Sequence, residues 1–178
     1  MRISLRPDRV FERYTDVTPQ MLTERGITLL FCDLDYTLAP KSIKTADETV
    51  RSWLAKMELA GITVIILSNN RHPKRVRKFC ADLGIGYIGH ANKPFFDARR
   101  WCRLERTQRA VFTTLRPGAF RAENAAYLGD KLLTDMLCAN LNDGWALMVE
   151  PLGGPVGAWN HVLHLLQRPF KALAREKR

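Results

Sequence analysis

A hydrophobic strand from Thr28 to Cys32 stops at two aspartates, Asp33 and Asp35, and a threonine, Thr37, follows at the same two-residue step. On an extended backbone, residues i and i+2 point the same way. The two carboxylates therefore converge at the carboxyl end of a strand, where α/β sheets place their ligands. Paired acids at such a spot are costly unless a cation joins them. The pattern points to Mg²⁺, phosphate and a carboxylate nucleophile.

The rest of the chain supplies strands and helices in alternation. After the first strand, at about 27–32, a helix is predicted over 46–60 and stops at Gly61, a C-cap glycine. Ile62 to Leu67 reads as strand 2. Pro73 opens a second helix that ends near Gly84, and a short strand follows at 85–88. A helix is expected after Pro94, then a strand at Ala125 to Leu128, a helix over 131–141 and a strand from Ala146 to Val149. This β-α-β-α order predicts a Rossmann-like, doubly wound parallel sheet of about five strands, with helices on both faces. Residues 1–20 read as a polar, irregular N-terminal extension, in which Thr18 caps a short helix that has Pro19 at its first position. Residues 153–178 read as an amphipathic C-terminal helix. Trp159, Val162, Leu163, Leu166 and Phe170 form its apolar stripe, and Arg168, Lys171, Arg175, Lys177 and Arg178 form its basic flank. The stretch from Arg99 to Arg121 resists assignment and carries seven arginines against one glutamate.

A chain of 178 residues, 46% of them hydrophobic, suits one domain with a filled core. Four cysteines, at 32, 80, 102 and 138, form no CxxC pair, which argues against a zinc site or disulfide scaffold and for a reducing compartment. His161 and His164 are three residues apart, but no acid or cysteine joins them, so they read as helix surface. Charge breaks the first eight residues too early for a leader's apolar core, and no apolar run approaches the roughly 20 residues of a membrane span. A cytoplasmic protein is expected. The net charge of +10 implies an anionic partner: nucleic acid, lipid head groups or phosphorylated substrates.

Four constellations fall at strand ends: Asp33-x-Asp35-x-Thr37, Ser68-Asn69-Asn70, Lys93-Pro94, and Gly129-Asp130-Lys131-Leu132-Leu133-Thr134-Asp135. If strand 1 lies between the strand at 62–67 and the strand at 125–128, its carboxyl end is a switch point and the four segments surround one crevice. In this order the chain resembles the haloacid dehalogenase superfamily of phosphatases over nearly its whole length. It is most similar to the subclass IIIA, YqeG-like branch, which in turn resembles phosphatidylglycerophosphate phosphatases. Leu5-Arg6-Pro7-Asp8, Asp16-Val17-Thr18-Pro19 and Val149-Glu150-Pro151-Leu152 also fit that branch. Tyr36 and Lys131 depart from it, standing where Asn and Gln are usual, and so does Cys138-Ala139-Asn140-Leu141, which replaces a Gly-Gly-Asn-Arg stretch.

The resemblance implies a set of roles. Asp33 is the expected nucleophile and Asp35 the general acid and base. Ser68 and Lys93 are expected to bind and neutralise the phosphoryl group. Mg²⁺ is expected on the Asp33 carboxylate, the Asp35 backbone carbonyl and Asp130. Asp135 supports Lys93 or the metal's waters, Asn69 belongs to the Ser68 motif beside the site, and Thr37 fixes the loop after strand 1. One helix and one strand fill each interval in which a cap domain would be inserted, so the core reads as uncapped and open to bulky substrates. A phosphorylated anionic substrate is expected, phosphatidylglycerophosphate first, with peripheral contact of the basic C-terminal segment at the inner membrane face. Two alternatives stay open: a phosphatase for nucleotides, sugar phosphates or nucleic-acid ends, and an RNA- or ribosome-binding protein with an idle core.

Overall fold

The computed structural model describes residues 2–70, 73–104, 121–153 and 169–174. Six parallel strands form one sheet: β1 (Arg9–Phe11), β2 (Leu29–Cys32), β3 (Thr63–Leu67), β4 (Gly86–Ile88), β5 (Ala125–Gly129) and β6 (Trp145–Val149), in the order β1-β6-β5-β2-β3-β4. Apolar runs in β2, β3, β5 and β6 are buried on both faces, as a helix-covered parallel sheet requires. Alternate residues feed two cores. Leu30, Cys32, Ile66 and Leu128 meet α1 (Pro19–Glu24), α2 (Glu48–Leu59) and α3 (Pro73–Leu83). Phe31, Ile65, Leu67 and Tyr127 meet α4 (Ala98–Leu104) and α5 (Leu137–Leu141) on the other face. Among the described residues only α2 and β3, then α3 and β4, lie between the first acid pair and Lys93, and no separate cap domain is present.

Local chemistry fixes the element ends. The Thr18 hydroxyl accepts from the Met21 N–H at 3.3 Å, and Pro19 opens α1 as expected. The Asp47 carboxylate caps α2 by accepting from the Val50 N–H at 2.9 Å, and Gly61 takes a positive φ of 74° just beyond its end. The Trp53 indole N–H donates to the Val17 carbonyl at 2.9 Å, which ties α2 to the segment before α1.

Two expectations need correction. Among the described residues the sheet has six strands where about five were expected: Arg9–Phe11, read as part of an irregular extension, is a strand that pairs with β6. Three residues are too few to show a period-two pattern. The strand is held instead by its neighbour Asp8, whose backbone N–H donates to the Ala146 carbonyl while its carboxylate accepts from the Ala146 N–H, both at 2.8 Å. Second, the segment predicted as a helix over 131–141 begins as a wide π-turn over Leu132–Met136 before α5. The Arg99–Arg121 stretch is described only as the rest of α4 and from Arg121 onward, and the apolar stripe from Trp159 to Leu166, with His161 and His164, lies outside the described residues. No helix of the described residues is long and apolar enough to cross a membrane.

Candidate active site

β2 sits between β3 and β5, so the carboxyl end of β2 is the expected switch point. Asp33 leaves it with its N–H donating to the Leu128 carbonyl of β5 at 2.8 Å. Four loops meet here. Buried carboxylates of Asp33, Asp130 and Asp135 present oxygens within 4.8 Å of one another. The Lys93 ammonium donates to Asp33 Oδ1 at 2.8 Å and to Asp135 Oδ1 at 2.6 Å, with only 4% of its side chain exposed.

The lysine is placed by Asn69. The Asn69 side chain donates to the Lys93 carbonyl and accepts from the Lys93 N–H, both at 2.8 Å, so a side chain imitates a strand partner. Asp135 is placed by the π-turn, in which the Lys131 carbonyl accepts from the N–H groups of both Asp135 and Met136 at 2.9 and 3.1 Å. Such turns recur at functional sites. Asp135 packs so tightly over β5 that a Cβ on Gly129 would lie 2.4 Å from its Cγ. Only glycine leaves that space.

Electrostatics follow from burial. Desolvation raises the Asp33 carboxyl above its usual range against the pull of the Lys93 ammonium. Burial likewise pushes Asp130 up to about 7, opposed by Lys131, whose ammonium donates to both Asp130 oxygens at 2.7 and 2.9 Å. Burial lowers the Lys93 pKa, but the attraction of Asp135 and Asp33 outweighs it and the ammonium is held above its ordinary value.

Asp35 stands apart from the three-acid cluster. Its carboxylate accepts from Arg75 Nη1 and, at 3.2 Å, from Asn70 Nδ2. Thr37 is fully buried, and its hydroxyl has no hydrogen-bond partner among the described residues. Backbone bonds hold its loop instead: the Tyr36 N–H donates to the Ala39 carbonyl at 2.9 Å and the Leu152 N–H to the Tyr36 carbonyl at 2.7 Å. Ser68 is buried, and its hydroxyl accepts from the Asn70 N–H at 3.1 Å, which leaves its own proton to donate. Tyr36 adopts a positive φ of 68°, and the Lys41 and Lys131 ammoniums lie 5.6 and 5.7 Å from the centre of its ring.

The structure thus brings Asp33, Lys93, Asp130 and Asp135 into direct contact or close approach, with Asn69 behind them and Asp35 beside them. A residue of the site that sequence reasoning did not single out is Arg75. Its place in the first turn of α3, directly after the Ser68–Asn70 strand end, is the signal that marks it. Three carboxylates, all oxygen donors and buried together, fit a hard divalent ion such as Mg²⁺.

No family model matches the chain. It is 33% identical over 151 residues to the probable phosphatase YqeG of Bacillus subtilis strain 168, an alignment covering 85% of this chain and 80% of that protein. Solved structures similar to it include the cobalt-bound deoxy-D-mannose-octulosonate 8-phosphate phosphatase YrbI of Haemophilus influenzae, at 20% identity and a TM-score of 0.47 over 84% of this chain and 92% of that one. Another is a haloacid dehalogenase superfamily, subfamily III A hydrolase of Legionella pneumophila, at 19% identity and a TM-score of 0.46 over 90% and 93%. The extent and identity of the match to the Bacillus protein show that the chain belongs to the family of the probable phosphatase YqeG, on a sheet whose strand ends carry this group of acids and lysine.

Proposed function

We propose that the protein is a Mg²⁺-dependent phosphomonoesterase that works through an aspartyl-phosphate on Asp33, with phosphatidylglycerophosphate as its substrate. The observation that carries the reading is the Lys93 ammonium bridging Asp33 and Asp135 inside a three-carboxylate cluster. The first step forms a bond from an Asp33 carboxylate oxygen to phosphorus and breaks the bond from phosphorus to the ester oxygen. Asp35 gives its proton to the departing alcohol. In the second step water attacks phosphorus, Asp35 takes the water's proton, and the Asp33–phosphorus bond breaks to free phosphate and the carboxylate. Lys93 neutralises charge on the phosphoryl oxygens, while Ser68 and adjacent N–H groups bind them. Asp33, Asp130 and the backbone carbonyl of Asp35 would hold the ion, which shields the phosphate charge from the nucleophile.

The net charge of +10 and the lack of a separate cap domain among the described residues support a large anionic substrate. One domain, cytoplasmic and in peripheral contact with the membrane, is the organisation this substrate requires. The test is phosphate release from phosphatidylglycerophosphate in mixed micelles, with and without EDTA. Mg²⁺-dependent release, absent in Asp33→Asn, is expected. Turnover of soluble sugar phosphates but not of the lipid would reject the substrate.

A further inference from the structure

Among the described residues, Asp35 is the one acid of the site whose carboxylate is held by a guanidinium. Arg75 Nη1 donates to Asp35 Oδ1, Nη2 donates to the Pro40 carbonyl at 2.9 Å, and Nε donates to the Lys41 carbonyl at 3.0 Å. All three nitrogens are engaged, and only 13% of the Arg75 side chain and 11% of the Asp35 side chain are exposed. With Asn70 on the second oxygen, each carboxylate oxygen accepts one hydrogen bond, and its second lone-pair site can take the proton that is passed on. Arg75 therefore ties α3 to both ends of the tight loop that runs from Asp35 to Lys41.

We propose that Arg75 is the positioning residue for Asp35 in proton donation to the leaving group, a step resting on the roles given above to Asp33 and Asp35. A guanidinium stays protonated and cannot donate the catalytic proton itself. It acts through the carboxylate, whose oxygen must lie within hydrogen-bond reach of the departing oxygen. A lysine keeps the charge but not the planar fork, so it holds one contact where arginine holds three. If Arg75 only braced the loop, its loss would slow all substrates equally. If it aims the acid, the loss grows as the leaving alcohol becomes more basic and needs the proton more.

The experiment measures kcat/KM, which reports steps through leaving-group departure, for p-nitrophenyl, phenyl and 4-methoxyphenyl phosphates. Arg75→Met should lose about tenfold more on the two poorer leaving groups than on p-nitrophenyl phosphate, a share of the roughly 10²–10⁴ that acid catalysis contributes. Arg75→Lys should fall between Arg75→Met and the unaltered protein. Asp35→Asn should show the same steepening, and adding Arg75→Met to it should cost little more, because two residues acting as a unit are not additive. Arg75→Lys keeps the test readable if Arg75→Met fails to fold. A uniform loss across the three esters, or full additivity with Asp35→Asn, would overturn the proposal. Turnover retained by Asp33→Asn would instead reject the aspartyl-phosphate, leaving the leaving-group dependence of Arg75→Met to be read as before.

Discussion

Replacing Lys93 by methionine removes the ammonium that ion-pairs with both Asp33 and Asp135 while keeping most of the side-chain length. In the native site this ammonium lies 2.8 and 2.6 Å from the two carboxylates, whose side chains are 8% and 3% exposed. Breaking a buried pair from one side costs about 3–5 kcal/mol. The folded variant can limit that cost by keeping a proton on the acid pair that the unfolded chain has released. Its carboxyl pKa is then raised, so the folded state binds more protons than the unfolded state and stability falls as pH rises. The slope is about 1.4 kcal/mol per pH unit for one proton. Urea denaturation at pH 5 and pH 8, compared with the unaltered protein, should show a deficit that is small at pH 5 and largest at pH 8. Added Mg²⁺ should recover part of it. A deficit below about 1 kcal/mol at pH 8, or one flat with pH, would refute the argument that this lysine is what makes the buried acids tolerable.

Two further outcomes follow from packing and burial. Gly129→Ala places a methyl group 2.4–2.6 Å from Asp135 side-chain atoms, so urea denaturation should show a loss of about 1–3 kcal/mol, and phosphatase turnover should drop as Asp135 leaves Lys93. Cys32, Cys80 and Cys138 are buried, and burial raises all three thiols, the last two to about 12. A raised pKa depletes the thiolate, so these three should resist an aromatic disulfide reagent at pH 8 and react once urea unfolds the chain. Their contribution to stability is whole below the ordinary thiol range and is lost as pH climbs toward about 12.

Much of this arrangement was legible from residue order alone. The strands β2, β3, β5 and β6 announced themselves as apolar runs, and the polar residues that end β2, β3 and β5 marked one edge of the sheet. What stayed hidden depends on direction rather than type. β1 is short and rests on a side-chain bond from Asp8, which no periodicity reveals. The π-turn that seats Asp135 differs from an α-helix by a single residue, and hydrophobic spacing does not resolve that. Arg75 stands among Lys74, Arg77 and Lys78, and only the fold shows which of the four turns back onto Asp35. Thr37 reads as a residue of the loop after β2, and the structure buries it there, in a turn that backbone hydrogen bonds of Tyr36, Ala39 and Leu152 hold.

The account rests on Asp33 as the atom donor to phosphorus. Acid quenching during turnover of p-nitrophenyl phosphate, followed by peptide mass mapping, reads this directly. A phosphoryl group on Asp33, formed with Mg²⁺ and missing when EDTA is present, is the predicted result. Steady turnover with the phosphoryl group on no carboxylate, or on Asp35, would contradict it.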